Sequence, residues 1–446
     1  MATVIPFKGI RYSPGAGAMN LLITPPYDVI NEEKQEYFYQ LHPNNIIRLE
    51  YGKSYPSDTE ADNRHTRAAA VFSRWLKEGI LKQESSPAIY LCQEKFIHEG
   101  FEKTRSSFIC SVKLEEYEKG IVIPHEETIP KHKADRLSLM QACQANFSPI
   151  FGLYVDPDGT VEKAVSAQMQ RDPDINFTDE DKHHHSVWII TDNSVISNVQ
   201  HFMAEQRIFI ADGHHRYETA LAYRDWRRKL EKAPLEEHSY DYIMMSLVSL
   251  NDPGLVILPT HRLVRNNNIE AEKMFSLLGD YFNLEIFPPG EDHENLNFFM
   301  NALKCGSKQD KKTEAVQHKS TIGLYTGKGA LCLLTLKEAI TLPPYAPAGH
   351  SPVWQKMDVS LLHYFIFKKL LSIGEDKWTD ENHVYYSRNE DELLSLADAG
   401  NYQFAFFLNP TPIEEMTFVA LNGEKLPQKS TYFYPKIITG LVINIL

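Results

Sequence analysis

Cysteine is scarce and unpatterned: five residues in a chain of 446, at Cys92, Cys110, Cys143, Cys305 and Cys332, with no C-x-x-C pair. An odd, scattered set excludes a disulfide framework and a cysteine zinc ribbon, and suits reduced thiols in the core of a cytoplasmic protein. No stretch approaches the roughly 18 apolar residues needed to cross a bilayer. The opening MATVIPFKGIRYSP lacks the apolar centre of a secretion signal, so no membrane association is expected. Positive charge is also short. A net charge of −13 repels phosphate backbones over most of the surface, which argues against nucleic acid as a partner and confines any basic site to a local feature. Neither a G-x-x-x-x-G-K-[ST] P-loop nor a kinase-type G-x-G-x-x-G loop is present, so adenine recognition is not visible. No repeat of 20 to 50 residues is found.

What is there is the composition of an ordinary globular chain, long enough for two or three domains. The pattern is mixed α/β (α+β). The segment up to Pro26 reads as extended, and Asn31–Leu41 as a polar helix. Arg64–Glu78 has Ala68, Val71, Phe72, Trp75 and Leu76 at helical spacing, with Gly79 as its stop. Ala88–Phe96 and Thr104–Leu114 are β-rich runs flanking HEGFEK and predict a hairpin. A helix is expected at Lys133–Cys143, strands at Pro149–Val155, Val187–Thr191, Arg207–Ala211, Tyr242–Leu250 and Gly254–Leu258, and an acidic loop at Asp172–Lys182. Further on, helical runs at Ala271–Leu278 and Val359–Leu371 alternate with β pairs at Thr321–Thr326 and Ala330–Leu336, and the lysine-rich Lys304–Lys319 reads as a solvated loop. A change of character near residue 266 divides a region 1–265 from a C-terminal α/β region 266–446.

Chemistry concentrates first at Ile208-Phe-Ile-Ala-Asp-Gly-His-His-Arg-Tyr217. An apolar strand ends at Asp212, Gly213 turns the chain, and a helix begins near His215. Backbone N–H groups at a helix start favour an anion such as phosphate. Arg216 adds a forked donor, and Asp212 stands where a carboxylate can hold Mg²⁺ against phosphoryl oxygens. The plainer alternative is that Asp212 caps the helix while His214 and His215 pack locally. A second cluster is Val122-Ile-Pro-His-Glu-Glu-Thr128, backed by Lys131, Lys133, Asp135 and Arg136. His125 and Glu126 follow a β run, where a carboxylate can act as general base toward a hydroxyl; an exposed acidic loop is equally open. The third, Leu426-Pro-Gln-Lys-Ser-Thr-Tyr-Phe-Tyr-Pro-Lys436, carries cations and hydroxyls suited to a zwitterion's carboxylate, or forms an edge strand. Pro259-Thr-His-Arg262 offers a buried cation. His183-His-His185 lacks i, i+4 spacing, so it reads as a loop and not as a metal tract.

PPYDVI, PHEET, ANFSPIFGLY, ADGHHRYETA, LPTHR and QKSTYFYPK together resemble the domain of unknown function 1015 family over nearly the whole chain. More distantly, the strand-DGHHR-helix motif, the preceding Pro-His-Glu turn and the C-terminal Lys-Ser-Thr stretch are similar, in the same order, to free L-serine kinases of the ParB/sulfiredoxin-like superfamily. That resemblance implies a ParB/sulfiredoxin-like catalytic core before residue 266, with roughly the last 25 residues returning to the active site. It implies Glu126 as general base beside His125, Asp212 assisting catalysis and binding Mg²⁺, and Gly213, His214, His215 and Arg216 on the phosphates. Lys429, Ser430, Thr431 and Arg262 would hold the serine substrate. The implied reaction is phosphoryl transfer to a free amino acid, most simply L-serine to O-phospho-L-serine, with ATP, ADP or pyrophosphate as donor.

Three other readings compete. A ParB-like nucleotide-binding regulator would carry a basic helix-turn-helix, and none is visible. A sulfiredoxin-like reductase needs a thiol where His214 and His215 stand. A metal-dependent phosphohydrolase would use the same site with water as acceptor.

Overall fold

The computed structural model describes residues 1–128, 130–231, 237–265, 269–287, 294–306, 320–327, 331–337 and 345–446, with backbone only at 130–132 and 294. The protein is mixed α/β. It divides into two compact units, the first made of Met1–Pro124, Thr128–Val256 and Phe433–Leu446, the second of His125–Glu127 and Ile257–Tyr432. The boundary expected at residue 266 lies outside the described residues.

The first unit is built on a nine-stranded sheet. Its strands are β1 (Val4–Ile5), β2 (Ile89–His98), β3 (Phe101–Lys113), β4 (Val122–Ile123), β5 (Ile150–Tyr154), β6 (Ile175–Thr178), β7 (His184–Ile190), β8 (Ile208–Asp212) and β9 (Tyr242–Ser249). They run in the order β4-β8-β5-β9-β3-β2-β7-β6, with β1 against β3. The hairpin β2–β3 is tighter than the sequence suggests, because His98 already faces Phe101. Glu99 and Gly100 both take positive φ, 49° and 80°, which is what a two-residue turn matching the strand twist requires.

Helix α1 (Arg64–Lys77) starts on an Asn63 capping box and buries Ala68, Phe72 and Trp75. Helices α2 (Pro130–Cys143) and α3 (Asn193–Met203) follow, and α4 (His214–Glu231) rises directly from the end of β8. Tyr217, Ala220 and Tyr223 of α4, at helical spacing, join Ile208, Ile210, Met245 and Leu247 of the sheet in one buried cluster.

Three expectations need correction. The segment before Pro26 contains one helical turn, Met19–Leu22. The acidic stretch 172–182 is not all loop: Ile175 and Phe177 alternate with polar residues, and β6 pairs as the edge strand of the sheet. The histidine tract is not a loop either, since β7 opens at His184 and pairs on both sides. Of the thiols, Cys110, Cys143 and Cys332 are buried, but Cys305 is exposed. Burial raises the Cys332 thiol to about 11, out of the reactive range.

The second unit carries a six-stranded antiparallel sheet. The strands are β10 (His261–Val264), β11 (Phe282–Phe287), β12 (Thr321–Tyr325), β13 (Leu331–Leu336), β14 (Val384–Ser387) and β15 (Phe404–Phe407), ordered β11-β13-β12-β15-β10-β14. Runs such as Leu331–Leu334 and Phe404–Phe407 are apolar and buried at every position because both faces are covered. Leu334 and Phe406 face a cluster with Leu362, Phe365 and Ile366. Leu333 and Phe407 face the opposite one, with Phe299 and Leu303 of helix α5 (Glu294–Gly306). The lysine-rich stretch begins as the end of α5, and its residues 307–319 lie outside the described residues.

Helix α6 (Ile413–Leu421) carries a costly acid. Burial, with Glu414 adjacent, raises the Glu415 carboxyl from an ordinary 4.5 to about 7. The folded form therefore keeps a proton that the unfolded chain releases, so stability falls as pH rises from about 4.5 to about 7. Urea unfolding followed across that window is expected to show this slope in the native chain and a flatter one in Glu415→Gln.

Candidate active site

At the strand-to-helix junction of the first unit, the pairing of β8 with β5 slips between Ile210 and Asp212. The extra residue of such a bulge re-aims the side chain that follows. Gly213 then takes φ +95°, and a Cβ there would sit 3.0 Å from the Arg216 guanidinium. Glycine is required on both counts. The turn brings Arg216 back toward Asp212, with Nη2 2.7 Å from Oδ2, while Nη1 donates to the Pro149 carbonyl. The other carboxylate oxygen, Oδ1, is held by Lys436 Nζ. Burial alone would raise the Asp212 carboxyl, but Lys436 and Arg216 outweigh it and hold it well below the usual range. Arg216 and His214 are buried, and His215 is half-buried at the helix start.

This arrangement bears on the ion expected at Asp212. Mg²⁺ is normally held by one or two carboxylates plus phosphate oxygens and waters. Asp212 has a cation on each oxygen, so it does not fit the part of a magnesium ligand in this state. What the junction offers is surplus positive charge: two cations on one acid, beside the first N–H groups of α4. The described charges behind the second motif are already paired, Lys133 with Glu218 among them. Asp135 pairs with Arg136, whose Nη1 donates to the Glu50 carbonyl at 2.8 Å.

In the second unit, residues 125–127 lie alongside the C-terminal motif. Leu426 N donates to the His125 carbonyl at 2.8 Å, and Glu126 bridges to Leu426 in parallel register. His125 is fully buried, its Nε2 2.9 Å from Thr431 Oγ1. The Lys429 backbone N–H donates to Glu126 Oε1. Lys429 adopts φ +58°, rare for a residue with a side chain, and its carbonyl accepts from Arg262 Nη2 at 2.9 Å. Ser430 is fixed from both sides, since its carbonyl accepts from Thr411 Oγ1 and its hydroxyl donates to the Pro427 carbonyl.

Arg262 is 1% exposed. Its other donors go to the Thr260 carbonyl and to His363 Nε2, the latter at 3.3 Å. Burial lowers it to about 10, with Tyr386 and Glu126 pulling the other way. So Glu126, Lys429, Thr431, His125 and Arg262 meet in one unit, while Asp212 and Gly213 to Arg216 meet in the other. What sequence reasoning missed is the pairing of Lys436 with Asp212. The lysine was visible as a cation in the last motif, but nothing local connects it to an acid 224 positions earlier.

The family described as "Protein of unknown function (DUF1015)" matches residues 4–360, and the chain belongs to it. No curated protein matches. Similar solved structures include a conserved hypothetical protein from Pyrococcus furiosus, 11% identical, with a TM-score of 0.33 over 76% of this chain and 95% of that one. A free serine kinase in complex with AMP is 11% identical, at TM-score 0.34, covering 76% and 91%. SbnI with C-terminal truncation from Staphylococcus aureus is 12% identical, at TM-score 0.32, covering 76% and 87%. These likenesses are too remote to carry residue roles across. No described helix is long and apolar enough to cross a membrane.

The Asp212 ion pairs make an acid-sensitive contribution to stability. A carboxyl held below its ordinary 3.8 stabilises the fold above that pH, and the contribution is lost as pH falls through and below it. Asp212→Asn is expected to cost about 3 kcal/mol near neutrality, the usual price of breaking a buried pair. Acid unfolding followed by circular dichroism should be less steep in the variant than in the native chain.

Proposed function

We propose that this protein is a phosphotransferase acting on the hydroxyl of a free amino acid, with L-serine as substrate and O-phospho-L-serine as product. The observation that carries the reading is the junction at Asp212. Two buried-stem cations and a glycine-opened helix start converge on a single acid, leaving net positive charge where a phosphate chain can replace solvent. Arg216 and Lys436 are assigned to the donor's phosphates, with the backbone of Gly213, His214 and His215. Asp212 is assigned the task of aligning the two cations.

Glu126 is assigned the general base. Its carboxylate is oriented by the Lys429 N–H, and orientation is most of what such a base requires. In the reaction, the serine Oγ bonds to the donor's terminal phosphorus, the bond from phosphorus to the bridging oxygen breaks, and the hydroxyl proton passes to Glu126. Lys429, Ser430 and Thr431 are assigned to the amino acid's carboxylate, and His125 to fixing Thr431. Arg262, engaged on two carbonyls, is assigned a positioning role for Lys429. No carboxylate of this chain is assigned to Mg²⁺, which would be held by the donor's own phosphates. The motif resemblance to free serine kinases supports the choice of acceptor.

The test is a ³¹P NMR assay of the purified chain with Mg²⁺ and serine, threonine or homoserine against ATP, ADP and pyrophosphate. Phosphoserine is the expected product. Release of free phosphate without transfer would replace the kinase with a phosphohydrolase, and no turnover with any donor would remove both. Glu126→Gln should lower kcat by roughly 10²- to 10⁴-fold with donor affinity kept. Lys436→Met should instead weaken donor binding, read as a rise in KM for the donor.

A further inference from the structure

A second constellation lies in the first unit, on residues that the phosphotransfer reading does not use. In the register of the sheet, His185 of β7 stands directly opposite Glu94 of β2, and Glu94 directly opposite Arg105 of β3. His183, two residues before His185, falls on the same face by the period of a strand. Glu94, His183 and His185 are all buried, and a ligand atom from each lies within 4.8 Å of the others. His183 Nδ1 is 3.5 Å from Glu94 Oε1, and His185 Nε2 is 4.0 Å from the same oxygen. Asp179 Oδ2 stands 2.8 Å from His185 Nε2 and 3.7 Å from His183 Nδ1.

Those separations are those of a coordination shell. Ligands about 2.0–2.1 Å from a tetrahedral centre stand roughly 3.3 Å from one another, and the four distances here straddle that figure. Glu94 Oε1 is buried and makes no hydrogen bond of good geometry, with His183 Nδ1 at the 3.5 Å limit. Its sister oxygen Oε2 is taken by Arg105, which leaves Oε1 directed at the two imidazoles. The outer contacts are also in place. Tyr434 Oη lies 3.1 Å from His183 Nε2, the nitrogen turned away from the cluster, and Phe177 stacks on His185 with ring centroids 4.9 Å apart. A metal-bound histidine typically has its second nitrogen engaged in this way.

We propose that Glu94, His183 and His185, with Asp179 as fourth ligand, bind one divalent transition-metal ion of the zinc class. Two imidazoles and carboxylate oxygens select such an ion over Mg²⁺ or Ca²⁺, which prefer all-oxygen shells. The site would have a structural consequence. Tyr434, Pro435 and Lys436 touch His183, Arg105 and Asp212 in turn, so an ion here fixes the strap that delivers Lys436. The proposal stands whether or not the protein transfers phosphate.

The experiment uses the full, untagged chain stripped with a chelator. Titration with Zn²⁺ against a competing chelator should give one site per chain, and Co²⁺ should give the visible absorption of a low-symmetry nitrogen and oxygen site. His183→Ala and His185→Ala should each lose more than about 100-fold in Zn²⁺ affinity, and Tyr434→Phe roughly tenfold. Hydrogen exchange across residues 433–437 should slow on adding Zn²⁺ to the native chain. Failure of the native chain to bind Zn²⁺, or unchanged affinity in folded His183→Ala and His185→Ala, would overturn the site. If neither variant folds, a Co²⁺ spectrum of the native chain without imidazole ligation would do the same.

Discussion

The first unit depends on the grip that Arg216 and Lys436 keep on Asp212. One cation comes from the turn that follows the acid, the other from a strap that returns after the whole of residues 257–432. Chain entropy does not forbid such a return, since closing a longer loop adds only about 0.6 kcal/mol per doubling of length. What has to be supplied is specific attachment, and the strap has it at each step. Phe433 packs edge-on against Phe151, Tyr434 meets His183, the Pro435 carbonyl accepts from Arg105, and Lys436 reaches Asp212. Farther on, Ile443 exchanges backbone hydrogen bonds with Ile10. The acid thus does two things at once: it anchors the end of the chain and concentrates cationic charge at the start of α4.

How much of this was readable in the sequence follows the range of the forces involved. The junction from Ile208 to Tyr217 was legible because its signals are local: an apolar strand, a glycine that permits positive φ, and a helix face of Tyr217, Ala220 and Tyr223. The β2–β3 hairpin was legible for the same reason, although the two-residue turn at Glu99-Gly100 was tighter than the polar run suggested. Residues 125–127 and 426–431 were each marked as candidates, and the structure joins them through the Lys429–Glu126 and His125–Thr431 contacts. The histidine tract was misread because the test applied was helical spacing. On a strand the relevant spacing is two, and Glu94, the acid that stands opposite His185, belongs to a neighbouring strand whose register no local pattern reveals. The pairing of Lys436 escaped for a related reason: an ion pair across 224 positions leaves no periodicity.

Buried arginines recur through the molecule, and the exception among them is instructive. Arg105, Arg136 and Arg216 each sit against a carboxylate, as the cost of burying a charge demands. Arg262, deeper than most, has two carbonyls and a histidine as its direct partners, and burial pulls its pKa down to about 10. Glu126 is among the groups that favour its charge. Between the two stands a single residue, Lys429, whose N–H goes to the acid and whose C=O goes to the guanidinium. Lys429 makes both contacts at φ +58°, in the left-handed region that a residue with a side chain seldom adopts. The left-handed backbone at Lys429 is thus held from both sides, by Glu126 on its N–H and by Arg262 on its C=O.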